Sequence, residues 1–139
     1  MIVIIKCGLA SERERGMEKA REFESRLAEI THKECRAHWL HDLSDEAVDL
    51  NSAAGLIIPG FSAPMEDIGA VALAPLLSAI RGAPCPVLGI CGGHQLIAHA
   101  FGGDPLQNCY MRPLRAGEAP EADYQAGMLT EWGLSLIHI

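Results

Sequence analysis

PVLGICGGHQLIAHAFGG, residues 86–103, carries an apolar strand into a cysteine set among glycines and leaves it as a helix. "CPVLGI" is short and apolar, as a strand buried in a parallel sheet should be, and "GHQLIAHAFGG" reads as a helix with Gly102-Gly103 as its stop signal. Cys91 falls at the junction, inside Gly89-Ile90-Cys91-Gly92-Gly93. This is the G-x-nucleophile-x-G form of a nucleophile elbow, with cysteine in place of serine. So tight a turn has no room for side chains two residues before and two after the nucleophile, which is the physical reason for Gly89 and Gly93. The turn lifts the thiol above the carboxyl ends of the strands, where open α/β sheets bind ligands. It also sets the thiol at a helix N-terminus, where the local dipole favours thiolate. Backbone N–H groups of that helix start, beginning with Gly92, point to where an oxyanion would develop, which is half of an acyl-transfer site. The alternative for Cys91 is a small buried residue in a glycine-rich turn.

Outward from the elbow, strands alternate with helices. "IVIIKCG" near the N-terminus is a β-branched run that opens at Gly8, the expected first strand. Residues 15–30 place Met17, Ala20, Phe23, Leu27 and Ile30 three and four apart with charges between them, an amphipathic helix. "CRAHWLHDL" alternates weakly as a second strand, and "SDEAVDL" starts with a Ser44 N-cap signal for a short helix. "AAGLIIPG" is a third, fully apolar strand closed by Pro59-Gly60, and "DIGAVALAPLLSAIRG" is a helix interrupted or kinked near Pro75. This order predicts an α/β fold, an open, mostly parallel sheet with helices on both faces.

Composition narrows the function classes. With 139 residues and 49% apolar content, the chain can bury one core. Its net charge of -7 is spread along the chain with no Lys/Arg block, so neither nucleic acid nor an anionic membrane is an expected partner. The N-terminal apolar run is too short for a signal peptide and no later run would span a bilayer, which predicts a cytoplasmic protein. Five cysteines without CxxC spacing argue for reduced thiols, with Cys7, Cys35, Cys85 and Cys109 in the core or on the surface. His32, His38 and His41 have no Cys, Asp or Glu completing a metal-ligand spacing, so neither metal nor cofactor is expected.

The stretch around Cys91 resembles the signature of class I glutamine amidotransferases, in which Gly-x-Cys-x-Gly-His-Gln introduces the catalytic cysteine, and "GLIIPGFSAP" resembles their upstream oxyanion strand. The resemblance runs from the first strand to about Gly103 and implies a flavodoxin-like sandwich. It implies that Cys91 attacks the side-chain amide carbon of glutamine, forming a γ-glutamyl thioester and releasing ammonia. Gln95 would help hold the substrate, and Gly92 with the Gly60-Phe61 segment would supply the oxyanion N–H groups. Phe61 stands where many members have a second glycine, and Gly92 replaces a larger apolar residue, which should loosen one wall of the site. His94, in the first turn of the helix, is expected to orient rather than to act as base, because the family's base comes from a later loop; His99 is expected to pack. The resemblance further implies a synthetase or other ammonia acceptor as partner.

The family completes its triad with a downstream His-x-Glu, and no such pair follows Cys91 here. After Gly103 the chain is rich in Pro, Gly and acids, with His138 as its single histidine. The last six residues, LSLIHI, are what CTG-TCT-CTT-ATA-CAC-ATC encodes, which resembles a transposon-end sequencing adapter; a native apolar strand is the other reading. The expectation is a partial amidotransferase-like domain over residues 1–133, incomplete at its C-terminus and inactive by itself, with residues 134–139 derived from the adapter. A non-catalytic binding or regulatory module on the same fold, or a γ-glutamyl hydrolase acting on another amide, are the alternatives. Redox-sensor and chaperone-like relatives fit less well, because Gly93-His94-Gln95 is not their pattern.

Overall fold

The computed structural model describes residues 1–43 and 48–102. Four strands form one all-parallel sheet, β1 (Ile2–Lys6), β2 (Cys35–Trp39), β3 (Gly55–Ile58) and β4 (Val87–Gly89), in the order β2-β1-β3-β4. Parallel neighbours cannot be joined by a hairpin, and the crossovers are helical: α1 (Arg13–Thr31) leads from β1 to β2, and α2 (Met65–Ile68) with α3 (Ala70–Gly82) leads from β3 to β4. Helix α4 (Gly92–Ala100) follows β4. From β1 the chain steps outward to β2 and then returns to the far side of β1 as β3. The carboxyl ends of β1 and β3 therefore flank the switch point where sheets of this flavodoxin-like order bind ligands.

Alternation along the strands divides the core in two. Val3, Ile5, Leu56 and Ile58 pack with Leu73, Leu76 and Ile80 of α3 and Leu96 and Ala100 of α4. Ile2, Ile4, Cys35 and Ile57 face the other way, against Phe23, Leu27 and Ala28 of α1. Side chains of period two on a strand with both faces buried give the continuous apolar run seen in IVII. Each fully buried aliphatic here contributes about 1.5–3 kcal/mol. On the α1 side Leu88 of β4 remains 55% exposed.

Three expectations are revised. The amphipathic stripe of α1 ends in Ala28 rather than Ile30, which lies at the edge of the stripe and is 77% exposed. The break expected at Pro75 falls at Gly69, whose φ of 89° turns the chain between α2 and α3. Pro75 sits inside an unbroken α3; its missing N–H deprives only the carbonyl of Val71, in the exposed first turn, where water can take the bond. Of the helix expected over residues 44–50, residues 44–47 lie outside the described ones and 48–50 are in neither helix nor strand. There the Asp49 carboxylate accepts the Asn51 N–H and the Ser52 hydroxyl, both at 2.9 Å, closing a turn. Cys109, His138 and the tail 134–139 also lie outside the described residues.

Trp39, at the end of β2, is the largest fully buried side chain among the described residues, and two glycines make room for it. A Cβ on Gly16 would stand 2.5 Å from Trp39 Cζ3, and one on Gly8 2.8 Å from its Cη2. The Gly16→Ala variant should therefore lose about 1–3 kcal/mol by overpacking, despite alanine's better helix propensity. Gly82→Ala, with nothing within 4 Å of the added carbon, should melt at or slightly above the wild-type temperature. Thermal denaturation of the two variants side by side checks the slot, and equal melting temperatures would sink it.

Candidate active site

The elbow between β4 and α4 is built by exclusion. Cys91 has φ 53° and ψ -113°, a conformation that a residue with a Cβ adopts only at a cost of about 1–3 kcal/mol when its surroundings hold it there. Ile90 N–H donates to Ile58 C=O at 3.0 Å, continuing the β3–β4 ladder to the residue before the cysteine. Gly93 N–H closes back on Ile90 C=O at 3.0 Å, and Gln95 N–H on Cys91 C=O at 3.2 Å, so the helix begins immediately. A Cβ on Gly89 would lie 2.5 Å from Gly93 C and from His94 N, and one on Gly93 would lie 2.0 Å from Ile58 O. Cys91 itself is exposed, whereas Cys7 and Cys35 are buried and Cys85 is half-buried. Burial pushes the Cys7 thiol up to about 12, which leaves it protonated and inert at neutral pH.

The loop after β3 comes to the same place. A Cβ on Gly60 would sit 3.4 Å from Cys91 Cβ, so the loop backbone runs alongside the elbow. The Phe61 ring lies against Gly92, where an added Cβ would meet Cε1 at 2.8 Å, Cδ1 at 2.9 Å and Cζ at 3.0 Å. The wall that Gly92 was expected to loosen is thus filled by Phe61, and the two departures from the usual pattern compensate each other. A glycine-rich elbow with an exposed cysteine, an apolar strand ending beside it in Pro59-Gly60, and a flavodoxin-like strand order form one constellation. A family model, Glutamine amidotransferase class-I, matches residues 19–130. The chain belongs to the class-I glutamine amidotransferase family. No solved structure matches it.

Within this amidotransferase fold, His94 and Gln95 lie half-buried in the first turn of α4, and His99 in its last turn. The other histidines are dispersed. His32 caps α1 with a left-handed φ of 52°, His38 lies on β2, and His41 stacks on Trp39 with ring centroids 6.0 Å apart and Nε2 3.0 Å from Gly8 O. No group of potential metal ligands gathers among the described residues. No helix of the described chain is long and apolar enough to cross a membrane.

One residue at the site was missed from the sequence. Lys6, the last residue of β1, is half-buried and donates from Nζ to the carbonyl of Gly60. Its pKa is lowered, chiefly because burial strips water from the ammonium. The available signal was a lone cation closing an otherwise apolar parallel strand at the edge where ligands bind.

Proposed function

We propose that this amidotransferase domain hydrolyses the side-chain amide of glutamine through Cys91. The Cys91 sulfur attacks the amide carbon, and the tetrahedral oxyanion is held by the N–H of Gly92 and the N–H of the Gly60-Phe61 peptide. On collapse the amide nitrogen, having taken up the proton that the Cys91 thiol gave up, leaves as ammonia, and the γ-glutamyl thioester that remains is resolved by water to glutamate. Gln95, one turn into α4, helps hold the substrate, Gly89 and Gly93 permit the turn, and His94 orients. The observation that carries this reading is the approach of Gly60 to within 3.4 Å, counted from its would-be Cβ, of the Cβ of a cysteine held at positive φ. A buried structural cysteine would need neither the strain nor the second loop.

The 139 residues contain no His-x-Glu after Cys91. Glutamine turnover by this chain should therefore be slow or absent, because without that pair nothing is placed to pass a proton to the departing amide nitrogen or to activate water, whereas alkylation of Cys91 needs neither step. An ammonia-accepting synthetase is the partner this chemistry asks for. The test is mass spectrometry after exposure to a glutamine analogue bearing a chloroketone at the amide position. One adduct on Cys91, suppressed by excess glutamine and accompanied by no sustained ammonia release, is the expected result. Labelling that glutamine does not suppress would reject the substrate, and sustained hydrolysis by the 139 residues alone would reject the missing base.

A further inference from the structure

The Gly60-Phe61 peptide has no obvious means of keeping its orientation. The β1–β3 ladder pairs Ile2 with Gly55, Val3 with Leu56 and Ile4 with Ile57, which carried forward sets Lys6 beside Pro59. Pro59 has no N–H, so the ladder cannot continue through it. Gly60 lacks the side chain that would resist rotation of the peptide that follows. A flip of that peptide would exchange the Phe61 N–H for the Gly60 carbonyl and turn a donor for an oxyanion into a group that repels one.

Lys6 takes over where the ladder stops. Its ammonium, reaching from β1, donates to the Gly60 carbonyl just past the end of β3. In a trans peptide the carbonyl and the following N–H point in opposite directions, and β4 with its elbow lies on the opposite side of β3 from β1. With the carbonyl drawn to Lys6, trans geometry sends the Phe61 N–H away from β1, the direction in which β4 and its elbow lie. The half-buried charge also polarises the peptide and strengthens that N–H as a donor.

We propose that Lys6 is a positioning residue that latches the Gly60-Phe61 peptide, through the Gly60 carbonyl, with its N–H directed at the oxyanion formed on acylation of Cys91. The proposal rests on the acyl-transfer reading above. It touches the reaction only through the peptide, so it predicts a loss confined to steps that develop an oxyanion.

Two reagents separate such steps. An N-acetylated glutamate γ-p-nitrophenyl ester acylates Cys91 through a tetrahedral oxyanion; the C–O electron pair leaves with p-nitrophenolate, which needs no proton, so the missing base is immaterial. Iodoacetamide alkylates the same sulfur by displacement of iodide, with no oxyanion. In the 139-residue chain, Lys6→Met should slow the p-nitrophenolate burst about 10- to 100-fold, below the roughly 10²–10³-fold cost of deleting an oxyanion donor outright. Its iodoacetamide rate should equal wild type, and Lys6→Arg should restore the burst to within a few-fold. Lys6→Gln, polar but too short to reach the carbonyl, is judged by the same criteria should Lys6→Met fail to fold. An unchanged burst, or burst and alkylation falling together, would overturn the latch. A wild-type chain that is alkylated but gives no burst would overturn the acyl-transfer reading and the latch with it.

Discussion

The Cys91→Ser variant should lose glutamine hydrolysis altogether when the reaction is measured in a protein that includes a downstream His-x-Glu pair. The expected drop is at least about 10⁴-fold, the scale seen when the nucleophile of a catalytic unit is removed. The serine hydroxyl is a much weaker nucleophile than the thiol and would depend wholly on a base placed for sulfur. The substitution should leave the melting temperature near wild type, because Cys91 is exposed and its elbow is held by backbone hydrogen bonds of Ile90, Gly93 and Gln95. Ammonia release, adduct mass and a thermal melt on the same preparation are the measurements. Hydrolysis surviving at more than a hundredth of the wild-type rate would remove Cys91 from the mechanism.

Gly93→Ala should be the most damaging single methyl in the described fold. Its Cβ would lie 2.0 Å from Ile58 O, 2.8 Å from Ile58 C and 3.0 Å from Ile58 Cβ, all at the carboxyl end of the interior strand β3. Backbone in a four-stranded parallel sheet cannot step aside, so α4 would have to move away from β3. Overpacking of this kind costs about 1–3 kcal/mol. Ile58 O also accepts the Ile90 N–H, and exposing or breaking that buried bond adds about 1–3 kcal/mol. A total of about 2–6 kcal/mol is a large part of the roughly 5–15 kcal/mol that holds a domain of this kind together. Gly92→Ala is the instructive contrast, because the atoms its Cβ would meet belong to the Phe61 ring, which can turn aside. It should cost less, and Phe61→Leu should recover most of the loss. Urea denaturation of the three variants provides the ranking; Gly93→Ala at wild-type stability would contradict the close approach of α4 to β3.

Much of the fold was legible because its signals are local. A β-branched run with both faces buried, a 3–4 spacing of apolar residues, and glycines two residues either side of a cysteine each act over a few residues, and β1, α1, β3 and the elbow form where those signals stand. The misreadings have equally local causes. Pro75 is a strong breaker in isolation, yet its unmet acceptor faces solvent, while the freedom of Gly69 to take a φ of 89° does the turning. Ile30 continues the helical spacing but lies at the edge of the stripe, so spacing alone overstated its burial.

The sequence by itself determined the class of sheet, the residue at the elbow and the family, because strand alternation and turn sterics are written in consecutive residues. Only the tertiary structure decided what stands around Cys91. The Phe61 ring fills the space left by Gly92 across 31 positions of chain, and Lys6 reaches the Gly60 carbonyl across 54. Both pairings depend on β1, β3 and β4 lying in register, and register is settled by packing the whole sheet against its helices.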